Sequence, residues 1–339
     1  MKVVIANFSA PIDRTLDFEG YWRAHRRPAP RERNSLFAQP PDWGFHIYAL
    51  GVYLMDKGLA DHVEFWDYRE KRESFYLSNG ILKVTFFNER DIDAYVGRYG
   101  YPDLFINHGP KGLPILERFA GRCFRVFVPA LRAGDPPHPN RGAECYLVDT
   151  VEDLDLRSML YVPVVNTAQI CPDDRAKERD FIYLASNYGG KRHDLLIRAV
   201  RGTALTGHLH PVDASTLDLA GTNITTSNLN ERDVVGLLRG SRIAVYPGDR
   251  TSSPAAMWEC VAAGLPIVVN ESIAGGRHLV VPGITGEFAS EENFGATMQR
   301  VLAERDRYRP REHFVTHWDT IATIEGQLRF FREMGWAGG

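Results

Sequence analysis

The segment "RTSSPAAMWECVAAGLPIVVNE", residues 250–271, predicts a helix followed directly by a buried strand. Ser253 followed by Pro254 is typical of a helix start, because serine accepts from a free backbone N–H and proline has no N–H to leave unpaired in the first turn. Apolar residues then recur at helical spacing, and Gly264 predicts the end of the helix. "LPIVVN" has the length and the Val/Ile content of a buried parallel strand. With the strand "SRIAVYP" just upstream, the local order is strand, loop, helix, strand.

The loop at 248–253 therefore lies between the carboxyl end of a strand and the start of a helix. Open parallel sheets bind ligands at this end of their strands, and the free N–H groups of a helix start face an anion there. We predict an anion site in this loop, close to Glu259, which is the one carboxylate in the helix. The alternative is an ordinary strand–helix–strand unit that binds nothing.

Length and composition favour a soluble globular protein of two domains. A chain of 339 residues is too long for a typical single core. Its 44% hydrophobic and 24% charged residues are ordinary for globular proteins, and a net charge of −3 gives no general attraction to nucleic acid. We therefore expect no nucleic-acid partner.

The cysteines favour a reducing compartment. They are widely spaced, without a C-x-x-C pair, which favours reduced thiols over a disulfide framework or a zinc site. They are Cys123, Cys145, Cys171 and Cys260. The chain starts directly with the strand-like "KVVIANFS", and no apolar run approaches the length of a membrane span. We expect a cytoplasmic protein that is neither secreted nor membrane-spanning.

Strand and helix patterns alternate along the whole chain and predict an α/β fold. "MKVVIANF", "HVEFWDY", "DLFIN" and "RCFRVFVPA" are typical of strands, with helical patterns between them. A second run of the same kind begins at "DFIYLAS" and continues to the opening segment. The polar, proline-containing stretch within 160–180 is the expected boundary between two doubly wound domains. Two such domains facing each other would form a ligand cleft.

The segment "LASNYGGKRHDLLIRA" is a candidate phosphate site. Ser186, Asn187, Gly189 and Gly190 follow a predicted strand, and Lys191 opens a helix. Glycines allow close approach of the backbone, and the lysine supplies positive charge. A Gly–Gly turn with a solvated lysine is the alternative.

Three histidines are candidates for acid/base chemistry or metal binding. His108 follows a strand in "DLFINHGPKG", where it could act as a hydrogen-bonding or acid/base group, or be a structural histidine. His208 and His210 in "GHLH" have no carboxylate or cysteine at a helpful spacing, so we predict no metal site there.

"YPGDRTSSPAAMWECVAAGLPIVV" resembles the C-terminal signature of the retaining glycosyltransferases of family 4, E-A-x-A-x-G-x-P-V-V, without a gap. The matching positions are Pro247, Glu259, Ala262, Gly264 and Pro266. "KRHDLLIRA" is similar to the K-G-x-D-x-L-I-x-A helix of that family, and "LVVPGITGEFAS" to its G-x-T-G-x-L segment. The resemblance covers about residues 163–310, whereas the first half matches in element order and in "DLFINHG".

This resemblance implies the GT-B fold, in which two Rossmann-like doubly wound domains face a central cleft. Residues 1–162 would bind the acceptor and 163–317 the nucleotide sugar, with a C-terminal helix at about 318–339 packing back on the first domain. The implied activity is a retaining, metal-independent hexosyltransferase. It would need no cofactor and would use a nucleotide-diphosphate sugar as donor and a hydroxyl of a glycan, lipid-linked or small-molecule acceptor.

Residue roles follow from the same resemblance. Glu259 matches the glutamate that binds the nucleotide ribose, Lys191 the lysine that neutralises the donor diphosphate, and His108 the histidine that contacts the transferred sugar. A carboxylate suits a cis-diol because its two oxygens accept from two hydroxyls. The further donor-binding candidates are Ser186, Asn187, Gly190, Ser227, Thr251, Ser252 and Ser253.

The sequence departs from the family pattern at three places. Thr251 stands at the first glutamate position of the E-x7-E motif, for which Asp249 is a possible replacement. The arginine expected before the lysine is replaced within "SNYGG", with Arg192 and Arg250 as candidate substitutes. The Gly–Gly turn expected after the first strand is absent from "NFSAPIDRTLDFEG".

One segment and three other functions remain open. "YWRAHRRPAPRERN" carries five arginines within Arg23–Arg33, either as a solvated loop or as a basic surface for an anionic acceptor or a membrane. A nucleotide-sugar epimerase and a non-catalytic sugar-nucleotide binding protein would share the fold. A dehydrogenase is disfavoured, because "VVIANFSAPIDR" lacks G-x-G-x-x-G.

Overall fold

The structure, a computed structural model, describes residues 1–7, 45–68, 74–76, 82–86, 89–109, 113–129, 142–150, 153–185, 189–210, 212–228, 233–249 and 254–338. These residues form two compact units. The first unit contains the described residues up to position 166 together with those from 321 onward, and the second unit is Thr167–Thr320.

The first unit is built on an eight-stranded sheet in the order β3-β4-β2-β1-β5-β6-β7-β8. The strands are β1 (Lys2–Asn7), β2 (His62–Tyr68), β3 (Ser74–Tyr76), β4 (Leu82–Phe86), β5 (Leu104–His108), β6 (Phe124–Val128), β7 (Cys145–Val148) and β8 (Ser158–Leu160). The helices are α1 (Phe45–Asp56), α2 (Glu89–Tyr99) and α3 (Leu113–Arg118). Neighbouring strands run parallel except β3, which pairs antiparallel with β4 at one edge.

Strand β1 is apolar from Val3 to Ala6, and both of its faces are covered. Val3 and Ile5 belong to the core on one face, and Val4 and Ala6 to the core on the other. Such burial on two sides is the reason that strands of parallel sheets are continuous apolar runs in sequence. The strand order reverses beside β1, since β2 lies on one side of it and β5 on the other. The doubly wound arrangement predicted for the first half is confirmed.

The C-terminal helix α9 (Thr320–Glu333) packs in the first unit. Ile324, Leu328 and Phe331 recur at helical spacing and are buried in the same core as helix α1. The Tyr53 hydroxyl donates to Glu325 Oε1 over 2.7 Å and ties the two helices together.

The second unit is built on a six-stranded parallel sheet in the order β11-β10-β9-β12-β13-β14. The strands are β9 (Arg179–Leu184), β10 (Thr206–His210), β11 (Asn223–Thr226), β12 (Ser241–Tyr246), β13 (Ile267–Asn270) and β14 (Gly286–Ala289). The helices are α4 (His193–Val200), α5 (Val234–Arg239), α6 (Ala255–Ala262), α7 (Phe294–Ala303) and α8 (Pro310–Trp318). The order reverses between β9 and β12, so a crevice is expected at the carboxyl ends of these two strands.

Helix α6 is the helix predicted from the opening segment. It is apolar on nearly all sides because it packs between the sheet and helix α8, where the Trp258 ring lies 5.1 Å from that of Trp318. Gly264 has a φ of 84° and ends the helix as expected. The expected serine cap was wrong: Pro254 occupies the N-cap position, no side chain caps the helix, and Met257 N–H donates to the Pro254 carbonyl over 2.8 Å.

The chain enters and leaves the second unit at one hydrogen-bonded cluster. Thr167 N–H donates to Thr320 Oγ1 over 3.1 Å, and the two threonine hydroxyls are 2.8 Å apart. Arg311 donates to the Thr167 carbonyl over 2.9 Å. The two ends of the second unit are thereby joined to each other.

A bilayer-crossing helix is absent from the described ranges, since no helix there combines the required length and apolar character. The four cysteines are free thiols.

Candidate functional site

The reversal point of the second sheet brings the elements of three predicted site residues to one edge. Strand β9 ends at Leu184 and is followed by Gly189–Lys191, one turn of 3-10 helix, and then by α4. Strand β12 is followed by the loop to α6, which carries Glu259. Because β9 and β12 are neighbours in the sheet, Gly190, Lys191 and Glu259 all belong to elements that leave the same carboxyl edge.

Lys191 is a half-buried cation next to this edge. The Tyr183 hydroxyl of β9 donates to the Lys191 carbonyl over 2.8 Å and anchors the turn to the strand. Burial lowers the pKa of the Lys191 ammonium to about 8. A cation that has lost hydration in this way gains strongly from an anionic partner, which would raise its pKa again. Lys191 is thus a half-buried cation at the carboxyl edge of the second sheet.

Glu259 lies on α6 and is half-buried. The Tyr246 hydroxyl, from the last residue of β12, lies 3.3 Å from Cys260 Sγ. Burial raises the pKa of Tyr246, and the charges of Cys260 and Glu259 raise it further. Helix α6 thus contacts the end of β12 through Cys260, the residue that follows Glu259.

Arg192 joins three loops at the carboxyl edge of the second sheet. Arg192 Nη1 donates to Asp249 Oδ2, in the loop after β12, over 3.1 Å. Arg192 Nη2 donates to Glu291 Oε2, after β14, over 2.9 Å, and Nε donates to Asp194 Oδ1 over 3.3 Å. These hydrogen bonds raise the pKa of the guanidinium and lower that of the Glu291 carboxyl. At the sequence level, Arg192 and Asp249 were only candidate substitutes, and Glu291 gave no signal.

His108 lies at the equivalent point of the first sheet. It is the last residue of β5 and pairs with Asn7 of β1, where the strand order reverses. The His108 side chain is buried, and its ring contacts the Tyr161 ring edge-to-face at 6.0 Å. Burial and the nearby His46 lower the pKa of His108 to about 3. His108 is therefore neutral at pH 7 and is suited to hydrogen bonding rather than to proton donation as an imidazolium.

His46, in the first turn of α1, is a half-buried histidine that was not among the predicted site residues. Burial lowers the pKa of His46 to about 4. The signal available in the sequence was its place at the start of the helical pattern in "DWGFHIYALGVYLMDKGL".

Ser227 lies just beyond β11 in a buried chain of hydrogen bonds. Its hydroxyl is 2.8 Å from both His208 Nε2 and His210 Nδ1, and His208 Nδ1 is 2.8 Å from Thr225 Oγ1. Burial lowers the pKa of His208 to about 4, so this ring is neutral. The Ser227 hydroxyl thus has two protein partners in this structure. Within the described ranges, no group of three or more His, Cys, Asp or Glu residues could hold a metal ion.

The other predicted site residues lie outside the described residues. They are Ser186, Asn187, Thr251, Ser252, Ser253 and Arg250, together with the Arg23–Arg33 segment. Their roles stay predictions.

Known proteins resemble this chain in structure. No family model matches the sequence, and no curated protein matches it by sequence. The sucrose-phosphate synthase of Thermosynechococcus elongatus has 13% identity and a TM-score of 0.72, covering 98% of this chain and 99% of that one. Anabaena HepE in complex with UDP and glucose has 10% identity and a TM-score of 0.68, covering 98% and 100%. The lipopolysaccharide outer core galactosyltransferase WaaB has 11% identity and a TM-score of 0.65, covering 98% and 99%.

These likenesses define the class of fold. The similarity extends over nearly the whole chain and includes both sheets, so the chain has the GT-B fold, as its resemblance implied. A shared fold at such identities does not define the reaction, which is argued from the site residues.

Proposed function

We propose that this protein is a glycosyltransferase that moves a sugar from a UDP-sugar or related nucleotide-diphosphate sugar to a hydroxyl acceptor. The observation that carries the proposal is the presence of Lys191 and Glu259 on the two elements that leave the reversal point of the second sheet. The proteins of similar structure include an Anabaena protein in complex with UDP-glucose. Binding of a nucleoside diphosphate needs a cation for its phosphates and a hydrogen-bond acceptor for its ribose hydroxyls. In this proposal Lys191 supplies the cation and Glu259 supplies the hydrogen-bond acceptor.

The donor would be bound through its nucleoside diphosphate. The Glu259 carboxylate accepts from the ribose cis-diol, since two carboxylate oxygens match two hydroxyl donors. The Lys191 ammonium stabilises the negative charge that grows on the departing diphosphate, together with backbone N–H groups at the start of α6. In this proposal these groups take the place of a divalent cation, so transfer is metal-independent.

His108 would contact the transferred sugar as a neutral hydrogen-bonding group. The proposed reaction retains the configuration of the anomeric carbon through attack on the same face as departure, which requires no covalent enzyme intermediate. Such a reaction does not need the paired carboxylates that glycoside hydrolases use. The acceptor is a hydroxyl of a glycan, lipid-linked or small molecule. Free cysteines favour a cytoplasmic site of action.

A screen of UDP, GDP, ADP and TDP sugars tests the proposal. Thermal shift reports binding, and release of the nucleoside diphosphate reports turnover. We expect one of the nucleoside diphosphates to raise the melting temperature of the protein. We also expect the corresponding nucleotide sugar to be hydrolysed slowly when no acceptor is present. Binding without turnover, with or without a panel of acceptors, would favour the non-catalytic binding protein, and conversion into an isomeric nucleotide sugar would identify an epimerase. The absence of any binding would refute the proposal.

A further inference from the structure

The backbone of Arg192 has an unusual conformation. Among the residues that the structure describes, Arg192 alone has a positive φ, 49°, without being glycine. The left-handed region is sterically unfavourable for a residue other than glycine. Such conformations persist where the surroundings hold them, and they occur preferentially at functional sites. Arg192 also immediately follows Lys191, the proposed phosphate-binding residue.

The charges around Arg192 disfavour a role as a second diphosphate cation. Arg192 faces three carboxylates, those of Asp194, Asp249 and Glu291. A second guanidinium, that of Arg198, also pairs with Asp194 and Glu291, so that two cations lie among three carboxylates. The donors of Arg192 are directed at these groups, and its side chain is 19% exposed. The cluster as a whole is therefore negative, which would repel a diphosphate. The geometry instead fits a residue that holds the loops after β9, β12 and β14 in a fixed arrangement.

Asp249 has a carboxylate oxygen that accepts no hydrogen bond from the described residues. Its Oδ2 accepts from Arg192, whereas its Oδ1 is enclosed and has no hydrogen-bond partner in the described part of the chain. An enclosed oxygen of an ionised carboxylate without a donor is unfavourable, and a ligand hydroxyl would satisfy it. Asp249 lies in the loop that follows β12, two positions before Thr251, a residue that has no carboxylate.

We propose that Arg192 is a positioning residue, which holds Asp249 so that its second carboxylate oxygen accepts a hydroxyl of the donor's sugar. This inference rests on the proposed function. It assigns recognition of the sugar to Asp249, whereas Lys191 and Glu259 recognise the nucleoside diphosphate.

Two ligands separate recognition of the sugar from recognition of the nucleoside diphosphate. One is the nucleoside diphosphate itself, UDP, GDP, ADP or TDP, whichever binds in the screen described above. The other is the glucose derivative of the same nucleoside diphosphate. Asp249→Asn removes the carboxylate charge. Arg192→Gly removes the guanidinium while its backbone adopts a positive φ without strain. Both variants should weaken binding of the nucleotide-glucose about tenfold or more, because a hydrogen bond to a charged acceptor is lost or misplaced. Both should leave the dissociation constant of the nucleoside diphosphate within about twofold of the wild-type value.

Three further variants and ligands test the positioning role itself. Arg192→Lys should restore part of the loss, because an ammonium still pairs with Asp249. Asp194→Asn is the matched control, since Asp194 is an exposed carboxylate on the same guanidinium, and we expect no change. A series of nucleotide-deoxyglucose ligands, each lacking one hydroxyl, identifies the hydroxyl that Asp249 contacts. The ligand without that hydroxyl should bind the wild-type protein more weakly than the nucleotide-glucose does. The Asp249→Asn variant should bind this deoxy ligand as well as the wild-type protein does.

Equal loss of both ligands in Arg192→Gly would show that Arg192 acts on the diphosphate and would overturn the inference. Unchanged binding of the nucleotide-glucose in Asp249→Asn would also overturn it. If Arg192→Gly does not fold, as judged by circular dichroism, Asp249→Asn with the deoxy series decides. Absence of nucleotide-sugar binding by the wild-type protein would instead refute the proposed function, and this inference with it.

Discussion

The carboxyl ends of the two sheets differ in the kind of polar group that they carry, although both lie at a reversal of strand order. In the second unit the groups are charged: Lys191, Arg192 and Asp249. In the first unit they are two histidines, His46 and His108, which burial keeps neutral at pH 7. Similar architecture therefore supports two chemistries, since charge suits a diphosphate and neutral donors and acceptors suit an uncharged sugar.

The difference in charge between the two sites arises from the surroundings of each titratable side chain. His108 is buried and close to another histidine, so its charged form is disfavoured. Arg192 is paired with carboxylates, which favours its charged form. Lys191 lies between these cases, because burial has lowered its pKa without removing its charge at neutral pH. The following predictions test this division of roles.

Lys191→Ala should have the largest effect. Loss of one charge that stabilises the departing diphosphate should lower kcat about 100-fold or more, and should raise the apparent constant for the donor less. Steady-state hydrolysis of the nucleotide sugar measures both. Lys177→Ala is the matched control, because Lys177 precedes β9 at the opposite edge of the sheet and donates to the Arg239 carbonyl. If only the donor constant changes in Lys191→Ala, the lysine binds the ground state alone.

Glu259→Gln should weaken nucleotide binding about 10-fold or more, since one charge-assisted hydrogen bond to the ribose becomes a neutral one. The fold should persist because the replacement preserves size and helix propensity. Calorimetry with the nucleoside diphosphate measures the effect, and Glu271→Gln, an exposed glutamate after β13, is the control. Unchanged affinity would remove Glu259 from the ribose site.

His108→Ala should lower turnover of the nucleotide sugar about 10-fold while the affinity for the nucleoside diphosphate stays within about twofold, since a single neutral hydrogen bond is removed. His108→Gln should retain more activity than the alanine variant, because an amide also donates and accepts. Equal loss of nucleotide affinity and turnover would contradict the contrast between the two sheets.

The smallest effect concerns pH. Lys191, with a pKa of about 8, is charged below this value and loses its charge as the pH rises above it. An anionic donor favours the charged form, so affinity should be constant below about pH 7.5 and fall several-fold between pH 8 and 10, with proton uptake on binding near pH 8.5. Calorimetry in buffers of different ionisation enthalpy measures this uptake. Lys191→Arg should abolish it, and persistence of the uptake in that variant would assign it to another group.

Much of the second unit could be predicted because its signals are local. The helix at Ala255–Ala262, the glycine that ends it and the strand Ile267–Asn270 follow from turn chemistry and apolar pattern within one short stretch. Lys191 and Glu259 were placed at one edge because strands that flank a helix crossover have their carboxyl ends on the same side. The serine cap was wrong because proline itself occupies the cap position.

The site details that could not be predicted depend on distant segments. Arg192, Asp249 and Glu291 meet only because β9, β12 and β14 end at one edge of a single sheet. Ser227 is a predicted donor-binding residue, and its hydroxyl lies between two histidines of the neighbouring strand, a contact that its sequence position does not indicate. The neutral state of His108 depends on burial and on His46, which is far away in the chain.

The sequence by itself determined the fold class of this protein, because apolar period, helix ends and glycines act over a few residues and are the same in any context. It also determined which chemical groups are available at strand ends. Only the tertiary structure decided their state: which arginine is already paired, which aspartate oxygen lacks a donor, and which histidine is neutral. These properties depend on desolvation and on the positions of all neighbouring charges, and such quantities do not exist until the chain has folded.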